Sequence, residues 1–324
     1  MNGRITLVTG SDKISINREF MGVVGQIEAL RKLEFFVDTH DEETPIPTML
    51  FNGSHGLGKT YVAKKLAKVM NRRFIEVNCG TLKTEEDFIE GILLGQVLGE
   101  SPATILLDEA HQLSSKVTTI LLTLLNTDIN TKNTIRYKNF DIVFDLAKIN
   151  VIFASTDSYK VFAPLLSRCE EIYFDSYGAE ELIDMFQMYC PAKIECDKLS
   201  LAEACRGRGR DTFRLAQKVS RYLKREKKDT LIKFDWDKIR SLFEISLKGL
   251  NRQEVELIDI ISKNGVISST NIALAMMVNV DNIESEIEIR PRELGLIKST
   301  SRGRSLTEEG KQYILDLKKE AMGY

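Results

Sequence analysis

The chain has 324 residues, of which 43% are hydrophobic and 28% charged, and its formal net charge is −2. That length suggests two or three domains able to bury their own cores. No apolar run approaches the roughly 18 residues of a membrane span, and the polar N-terminus, MNGRITLVTGSDK, lacks the basic-then-apolar order of a signal peptide, so a soluble protein of the cytoplasm, free of the membrane, is expected.

The five cysteines, Cys79, Cys169, Cys190, Cys196 and Cys205, form no CxxC pair, and only three histidines accompany them. Reduced thiols are expected rather than a disulfide frame or a metal site. Charge is unevenly spread: residues 1–200 are net acidic and residues 201–324 net basic. An anionic polymer would therefore meet the later part of the chain.

Taken in chain order, the first informative stretch is TMLFN, a short buried strand, followed by NGSHGLGKTYVA. Gly53, Gly58, Lys59 and Thr60 fit the pattern G-x-x-x-x-G-K-[ST], and His55, Gly56 and Tyr61 belong to the same nucleotide-binding stretch. The helical stripe of Val62, Ala63, Leu66, Val69 and Met70 then supplies the helix that the pattern requires. Glycines let backbone N–H groups turn inward around the β-phosphate of ATP, and the helix N-terminus adds partial positive charge. Lys59 would span the β- and γ-phosphates, and Thr60 would hold Mg²⁺.

FIEVN is the next strand, and TILLDEAHQL runs an apolar strand into Asp108 and Glu109. A buried parallel strand ends in this way when its tip faces a ligand crevice. Asp108 would complete the Mg²⁺ shell, and Glu109 would orient and deprotonate the attacking water. NVIFAST and EEIYFDS add two more strands. Five strands alternating with helices predict a doubly wound parallel sheet in an α/β domain.

Between the fourth and fifth strands lies APLLSRCEEIYF. Its Arg168 stands several residues past the polar strand end at Ser155 and Thr156, where an arginine can reach a neighbouring subunit's γ-phosphate. After the fifth strand, residues 178–230 read as helices with the turn RGRGRD between two of them. Asp211 or Thr212 can N-cap the last of these. From about residue 247 three helix-like stretches precede GLIKSTSRGRSLTEEG, which reads as two short strands around a basic turn. Three helices and a β-wing make a winged helix, with Lys298, Arg302 and Arg304 on the wing and Gly303 letting the backbone turn. The third helix is acidic, so the wing is expected to make the DNA contacts.

The ordered set of phosphate loop, DEAH, polar strand end and SRC resembles an AAA+ ATPase. Together with FMGVVGQIEALRKL, GRDTFRLAQKVSRYL and the wing, it is similar to the RuvB-type branch of that family, from Phe20 to Tyr313. The resemblance implies an AAA+ P-loop NTPase large domain over residues 1–176, a helical lid over 177–246 and a winged-helix domain over 247–324. It implies a homo-hexameric, ATP-driven motor on duplex DNA or four-way junctions, gripping phosphates rather than bases. Arg168 becomes a finger acting in trans, Thr156, or else Ser155, the sensor of the γ-phosphate, and Arg214 the second sensor.

The family's hairpin ahead of the fourth strand carries an apolar tip that docks on a junction-binding partner, RuvA. Here Ile129 and Ile135 flank a polar stretch, Asn130–Asn133, taken as the tip. LLSRC also resembles the finger motif of sliding-clamp loaders, which keeps a clamp or helicase loader as an alternative. A winged-helix transcription regulator is a further one.

Overall fold

The computed structural model describes residues 4–9, 12–17, 20, 22–41, 43–97, 102–126 and 132–322. They fall into two compact units: residues up to Tyr177 with Arg208–Arg210, and Gly178–Gly207 with the chain from Asp211 onward.

The first unit opens with an antiparallel hairpin, β1 (Arg4–Thr9) and β2 (Asp12–Asn17), and helix α1 (Ile27–Thr39). Then come β3 (Met49–Asn52), α2 (Lys59–Val69), β4 (Arg73–Asn78), α3 (Glu85–Phe88), β5 (Ala103–Asp108) and α4 (Ser115–Leu124). A second antiparallel hairpin, β6 (Lys132–Tyr137) and β7 (Phe140–Asp145), precedes β8 (Ile149–Ser155), α5 (Ala163–Leu166) and β9 (Glu170–Tyr173). The main sheet has five strands in the order β4-β5-β8-β3-β9, each pair parallel. These are the five strands expected from the sequence.

Their apolar runs follow from burial on both faces. In β8 every residue is buried, and β5 is buried from Ala103 to Leu107, so neither strand can alternate with polar positions. On α2 the stripe Val62, Ala63, Leu66 and Ala67 packs inward. Fully burying a side chain such as Val62 or Leu66 contributes about 1.5–3 kcal/mol each.

The hairpin differs from expectation. Its turn lies at Lys138 and Asn139, between paired Tyr137 and Phe140, and Lys138 takes φ 51° there. Asn133 sits on β6, where its side-chain amide donates to the carbonyls of Leu124 and Asn126. Residues 127–131, including Ile129 and the first half of the stretch read as the tip, lie outside the described residues. Alternation decides the register: Ile142 and Phe144 turn into the core while Phe140 and Val143 stay exposed. The tip is therefore flanked by an exposed aromatic ring.

The second unit begins with α6 (Ala179–Tyr189), β10 (Lys193–Glu195), α7 (Lys198–Ala204), α8 (Gly209–Glu226), β11 (Thr230–Ile232) and α9 (Lys233–Leu242). The parallel pair β10 and β11 was not legible as strand. Helix α8 starts at Gly209, so Asp211 lies in its first turn rather than at its cap. There its charge still complements the helix dipole.

The same unit continues with α10 (Arg252–Asn264), α11 (Ser269–Met276), α12 (Val280–Asn282) and α13 (Ile289–Glu293), the last two joined by a π-helical turn at Ile283–Ile287. The antiparallel wing, β12 (Ile297–Thr300) and β13 (Gly303–Leu306), is followed by α14 (Glu308–Met322). Leu257, Ile258, Ile261, Ile272, Ile283 and Tyr313 form its core. Three helical segments and a wing are present, as the sequence indicates.

Candidate nucleotide site and wing

Three neighbouring strands, β5, β8 and β3, deliver their carboxyl ends to one edge of the sheet, where open α/β sheets gather ligands. The phosphate loop follows β3, Asp108 ends β5 with Glu109 just after it, and Ser155 ends β8 with Thr156 just after it. Register brings Asn52 opposite Ser155, and the Gly53 N–H donates to the Ser155 carbonyl at 3.3 Å.

The loop is built around close backbone approaches. A Cβ on Gly53 would stand 2.6 Å from the Phe174 carbonyl oxygen, so only glycine passes there. Gly56 and Gly58 take φ of 79° and 97°, conformations that leave loop N–H groups free to converge on an anion. Lys59 opens α2 and is 8% exposed. Its Nζ donates to the carbonyls of Gly53 at 2.5 Å and Ser54 at 3.0 Å, folding the ammonium over the loop.

Burial weakens the hold of the Lys59 ammonium on its proton; Asp108 and Glu109 oppose this, and Arg210 adds to it. All four charges therefore converge. The same two carboxylates, after burial itself, help push the Cys79 thiol up to about 12, so Cys79 is an inert wall of the site.

Glu109 sits in the left-handed region, φ 55° and ψ 48°, a conformation that costs a residue with a Cβ roughly 1–2 kcal/mol. Strain of this kind is stored where geometry matters to function. One carboxylate oxygen, Oε1, lies 3.5 Å from His55 Nδ1, and the other, Oε2, lies 3.5 Å from His111 Nδ1. Oε2 is buried without a hydrogen-bond partner. An oriented carboxylate with an unmet acceptor is suited to holding and deprotonating a water.

His111 Nδ1 also lies 3.1 Å from the Ser155 hydroxyl, which accepts the Asp157 N–H at 3.1 Å. Ser155 is 1% exposed and in this network, while Thr156 stands next to it, half-buried. Thr60 is half-buried in the first turn of α2. Asp108 accepts the Glu109 N–H at 3.0 Å, which fixes its carboxylate beside the loop. The exposed Tyr61 hydroxyl donates to the Gly22 carbonyl at 3.3 Å.

Three contributors escaped the sequence reading. His111 was visible only as the last letter of DEAH. Gln26, 8% exposed, donates to the Asp175 carbonyl at 2.7 Å and accepts the Asp175 N–H at 3.1 Å, bracing the chain beside the loop. Arg210 donates its backbone N–H to the Gly56 carbonyl at 3.3 Å; the basic turn RGRGRD was the available clue.

Arg168 follows α5 and donates to the Pro164 carbonyl at 2.6 Å, while its Nε is buried without a partner. Arg214 is exposed on α8, in the second unit.

On the wing, Lys298 and Arg302 are exposed. Arg304 is not available in the same way. Its guanidinium donates to Glu288 at 2.9 Å and 3.1 Å and to Glu284 at 2.7 Å, and the side chain is 15% exposed. The acidic third helix is thus neutralised from the wing, because a buried Glu288 demands a counter-charge. Expected as a free phosphate contact, Arg304 is here paired internally with Glu284 and Glu288.

Removing that pairing has a predictable cost. Arg304→Ala is expected to destabilise the winged-helix segment by roughly 2 kcal/mol, since buried Glu288 loses two charge-assisted bonds and keeps only its pairing with Arg292 at 2.7 Å. Arg302→Ala is expected to leave the melting temperature unchanged. Thermal denaturation of the two variants side by side checks both.

The chain matches the family model "ATPase family associated with various cellular activities (AAA)" over residues 49–177 and "RuvB C-terminal winged helix domain" over residues 247–315. It is 25% identical over 306 residues to the Holliday junction branch migration complex subunit RuvB of Wolbachia sp. subsp. Brugia malayi (strain TRS), covering 90% of each chain. To the subunit of that name from Prochlorococcus marinus (strain MIT 9515) it is 28% identical over 307 residues, 92% of this chain and 85% of the other. The solved Thermotoga maritima RuvB Holliday junction branch migration motor shares its fold with a TM-score of 0.73 at 22% identity, over 90% of this chain and 95% of that one. The chain thus carries an AAA ATPase domain followed by a RuvB C-terminal winged-helix domain, the domain pair of a divergent RuvB-type AAA+ ATPase.

Proposed function

We propose that the chain hydrolyses ATP to move duplex DNA through a ring of six copies, driving branch migration of four-way junctions. The observation that carries this reading is the joining, in one chain, of the strained Glu109 beside the phosphate loop and a RuvB-type wing with exposed cations.

Thr60 and Asp108 fit Mg²⁺ at this site. Both are oxygen donors beside the loop, and among the described residues no group of three or more His, Cys, Asp or Glu forms a dedicated cage. That donor set suits an ion whose remaining ligands are waters and nucleotide phosphates. Thr60 and Asp108 would hold the ion, which would supply charge neutralisation to the nucleotide phosphates. Lys59 binds the same phosphates, and Glu109 takes the proton of the attacking water. Arg168 serves the neighbouring copy's γ-phosphate, and Arg214 the nucleotide of its own copy. Thr156, or Ser155 through His111, reports the phosphate's presence to Glu109.

Lys298 and Arg302 contact phosphates, so binding is independent of sequence and weakens steeply with salt. Arg302→Ala is expected to lower the slope of log K against log salt by about one ion. The hairpin, with Phe140 63% and Val143 48% exposed beside its turn, docks a junction-binding partner of RuvA type. Among the described residues no helix is long and apolar enough to cross a membrane, which suits a DNA-processing role in the cytoplasm.

The test is a labelled synthetic four-way junction with homologous arms, incubated with the chain, ATP and Mg²⁺, with and without a RuvA-type protein. ATP-dependent resolution into two duplexes supports the reading. ATPase activity that neither junction nor duplex DNA stimulates, with no strand exchange under any of these conditions, rejects it.

A further inference from the structure

We propose that Arg206 and Glu254 are positioning residues that lock the helical lid to the winged-helix segment, so that nucleotide-driven displacement of the lid is delivered whole to the wing. This rests on the DNA-motor reading above and adds to it the part that transmits the work.

The contacts all lie within the second unit. Arg206 follows α7 and takes the left-handed conformation, φ 58°, which a side chain adopts only when its surroundings dictate it. Its guanidinium grips Glu254 in both teeth of the fork, Nη1 to Oε2 at 2.8 Å and Nη2 to Oε1 at 2.5 Å. Nη1 also donates to the Gly249 carbonyl at 3.1 Å. Glu254 is 2% exposed, and the same carboxylate accepts the Asn251 N–H at 2.8 Å, closing the N-terminus of α10. One lid side chain therefore holds the first helix of the winged segment by its cap.

Two further attachments flank this grip. Gly249 packs backbone on backbone against the end of α7: a Cβ there would stand 2.2 Å from the Glu203 carbonyl oxygen and 2.9 Å from the Ala204 Cα. Arg240 on α9 pairs with Glu320 on α14 at 2.9 Å. Between them the buried Tyr313 hydroxyl lies 3.2 Å from Ser246 Oγ and donates to the Leu247 carbonyl at 3.3 Å. The linker between lid and winged helix is thus pinned on both sides, and the residues from Gly178 to Gly207 cluster with the winged segment as one body.

A buried ion pair contributes little net stability, because desolvation offsets its attraction. What a planar bidentate fork does contribute is a fixed angle. Its position in the chain gives that angle a use: only Gly207 separates Arg206 from Arg208–Arg210, which belong to the first unit, where the Arg210 N–H donates to the Gly56 carbonyl of the phosphate loop.

The test uses the full-length double variant Arg206→Met/Glu254→Gln, which leaves no unpaired buried charge and retains an acceptor for the Asn251 cap. Its melting temperature is expected within about 4 °C of the parent. Duplex affinity and ATP turnover without DNA are expected within about threefold, while DNA-stimulated turnover and junction branch migration fall at least about tenfold. Spin labels at Lys224→Cys and Lys318→Cys, with Cys169 and Cys196 replaced by serine, report the lid-to-wing distance without reference to DNA. A narrow distance in the parent, unchanged by ATP, and a broadened one in the double variant support the lock. A parent distance that is broad or shifts with ATP, or a double variant with a narrow distance and full DNA stimulation, overturns it. A parent with a narrow, ATP-independent distance but no response to DNA rejects the motor reading and leaves the lock standing.

Discussion

Lys59→Ala is expected to lose ATP binding, while Glu109→Gln binds ATP and stops. The first change removes the cation that sits over the loop and is positioned by the Gly53 and Ser54 carbonyls. Losing a charge-assisted bond to two phosphates in a partly buried loop is worth several kcal/mol, enough to take binding from micromolar to beyond detection. The second change leaves that cradle intact and removes only the proton acceptor. A positioned general base contributes about 10²–10⁴ in rate, so phosphate release should fall by that factor while affinity for a fluorescent ATP analogue stays within about threefold. Turnover equal to the parent's in either variant would reject the site.

Mixing variants is the sharper experiment for Arg168. Arg168→Ala is expected to bind ATP normally and to lose about 10³ in hydrolysis, the scale of an arginine finger. A protein mixed from Arg168→Ala and Lys59→Ala subunits should regain activity. In such a ring an Arg168→Ala subunit keeps an intact phosphate loop and Glu109, and a Lys59→Ala neighbour offers it an intact Arg168. With random mixing in equal parts, about a quarter of the interfaces pair the two intact halves, so activity should peak near that ratio. Absence of rescue at every ratio would show that Arg168 acts within its own subunit or not at all. The grip of Arg168 on the Pro164 carbonyl, with Nε unsatisfied, is consistent with a guanidinium held in reserve for a group outside its own short helix.

The wing shows how far a reading by residue type can go. Lys298, Arg302 and Arg304 look equivalent along the sequence, three cations around a glycine turn. Folding separates them, because β13 runs beside the acidic helix and Arg304 is the residue whose side chain meets Glu284 and Glu288. The acidity that suggested repulsion of phosphates is thus met from inside the domain, and the surface charge of the wing comes down to Lys298 and Arg302.

The hairpin carries the same lesson. The polar stretch Asn130–Asn133 reads as a turn, yet the turn lies beyond it, at Lys138 and Asn139. There the pairing of β6 with β7 sets a register that buries Ile142 and Phe144 against the core, with Ile135 and Tyr137 packed partly buried beside them. Turn propensity is a local preference of a few tenths of a kcal/mol to about 1 kcal/mol, and burial of Phe144 outweighs it.

What the sequence by itself determined is whatever contiguous residues must do together. A phosphate is surrounded by consecutive backbone groups, so the loop from Gly53 to Thr60 is written in order. Strands buried on both faces are continuous apolar runs, so all five and their parallel sense could be read, along with Asp108 and Glu109 at a strand tip. Only the tertiary structure decided which distant side chains meet: His55 and His111 on the two oxygens of Glu109, Arg210 at Gly56, Arg304 on Glu288, and Arg206 on Glu254 across 48 positions of chain. The physical reason is that a hydrogen bond or ion pair between separate elements is fixed by packing, and leaves no periodicity in the sequence of either partner.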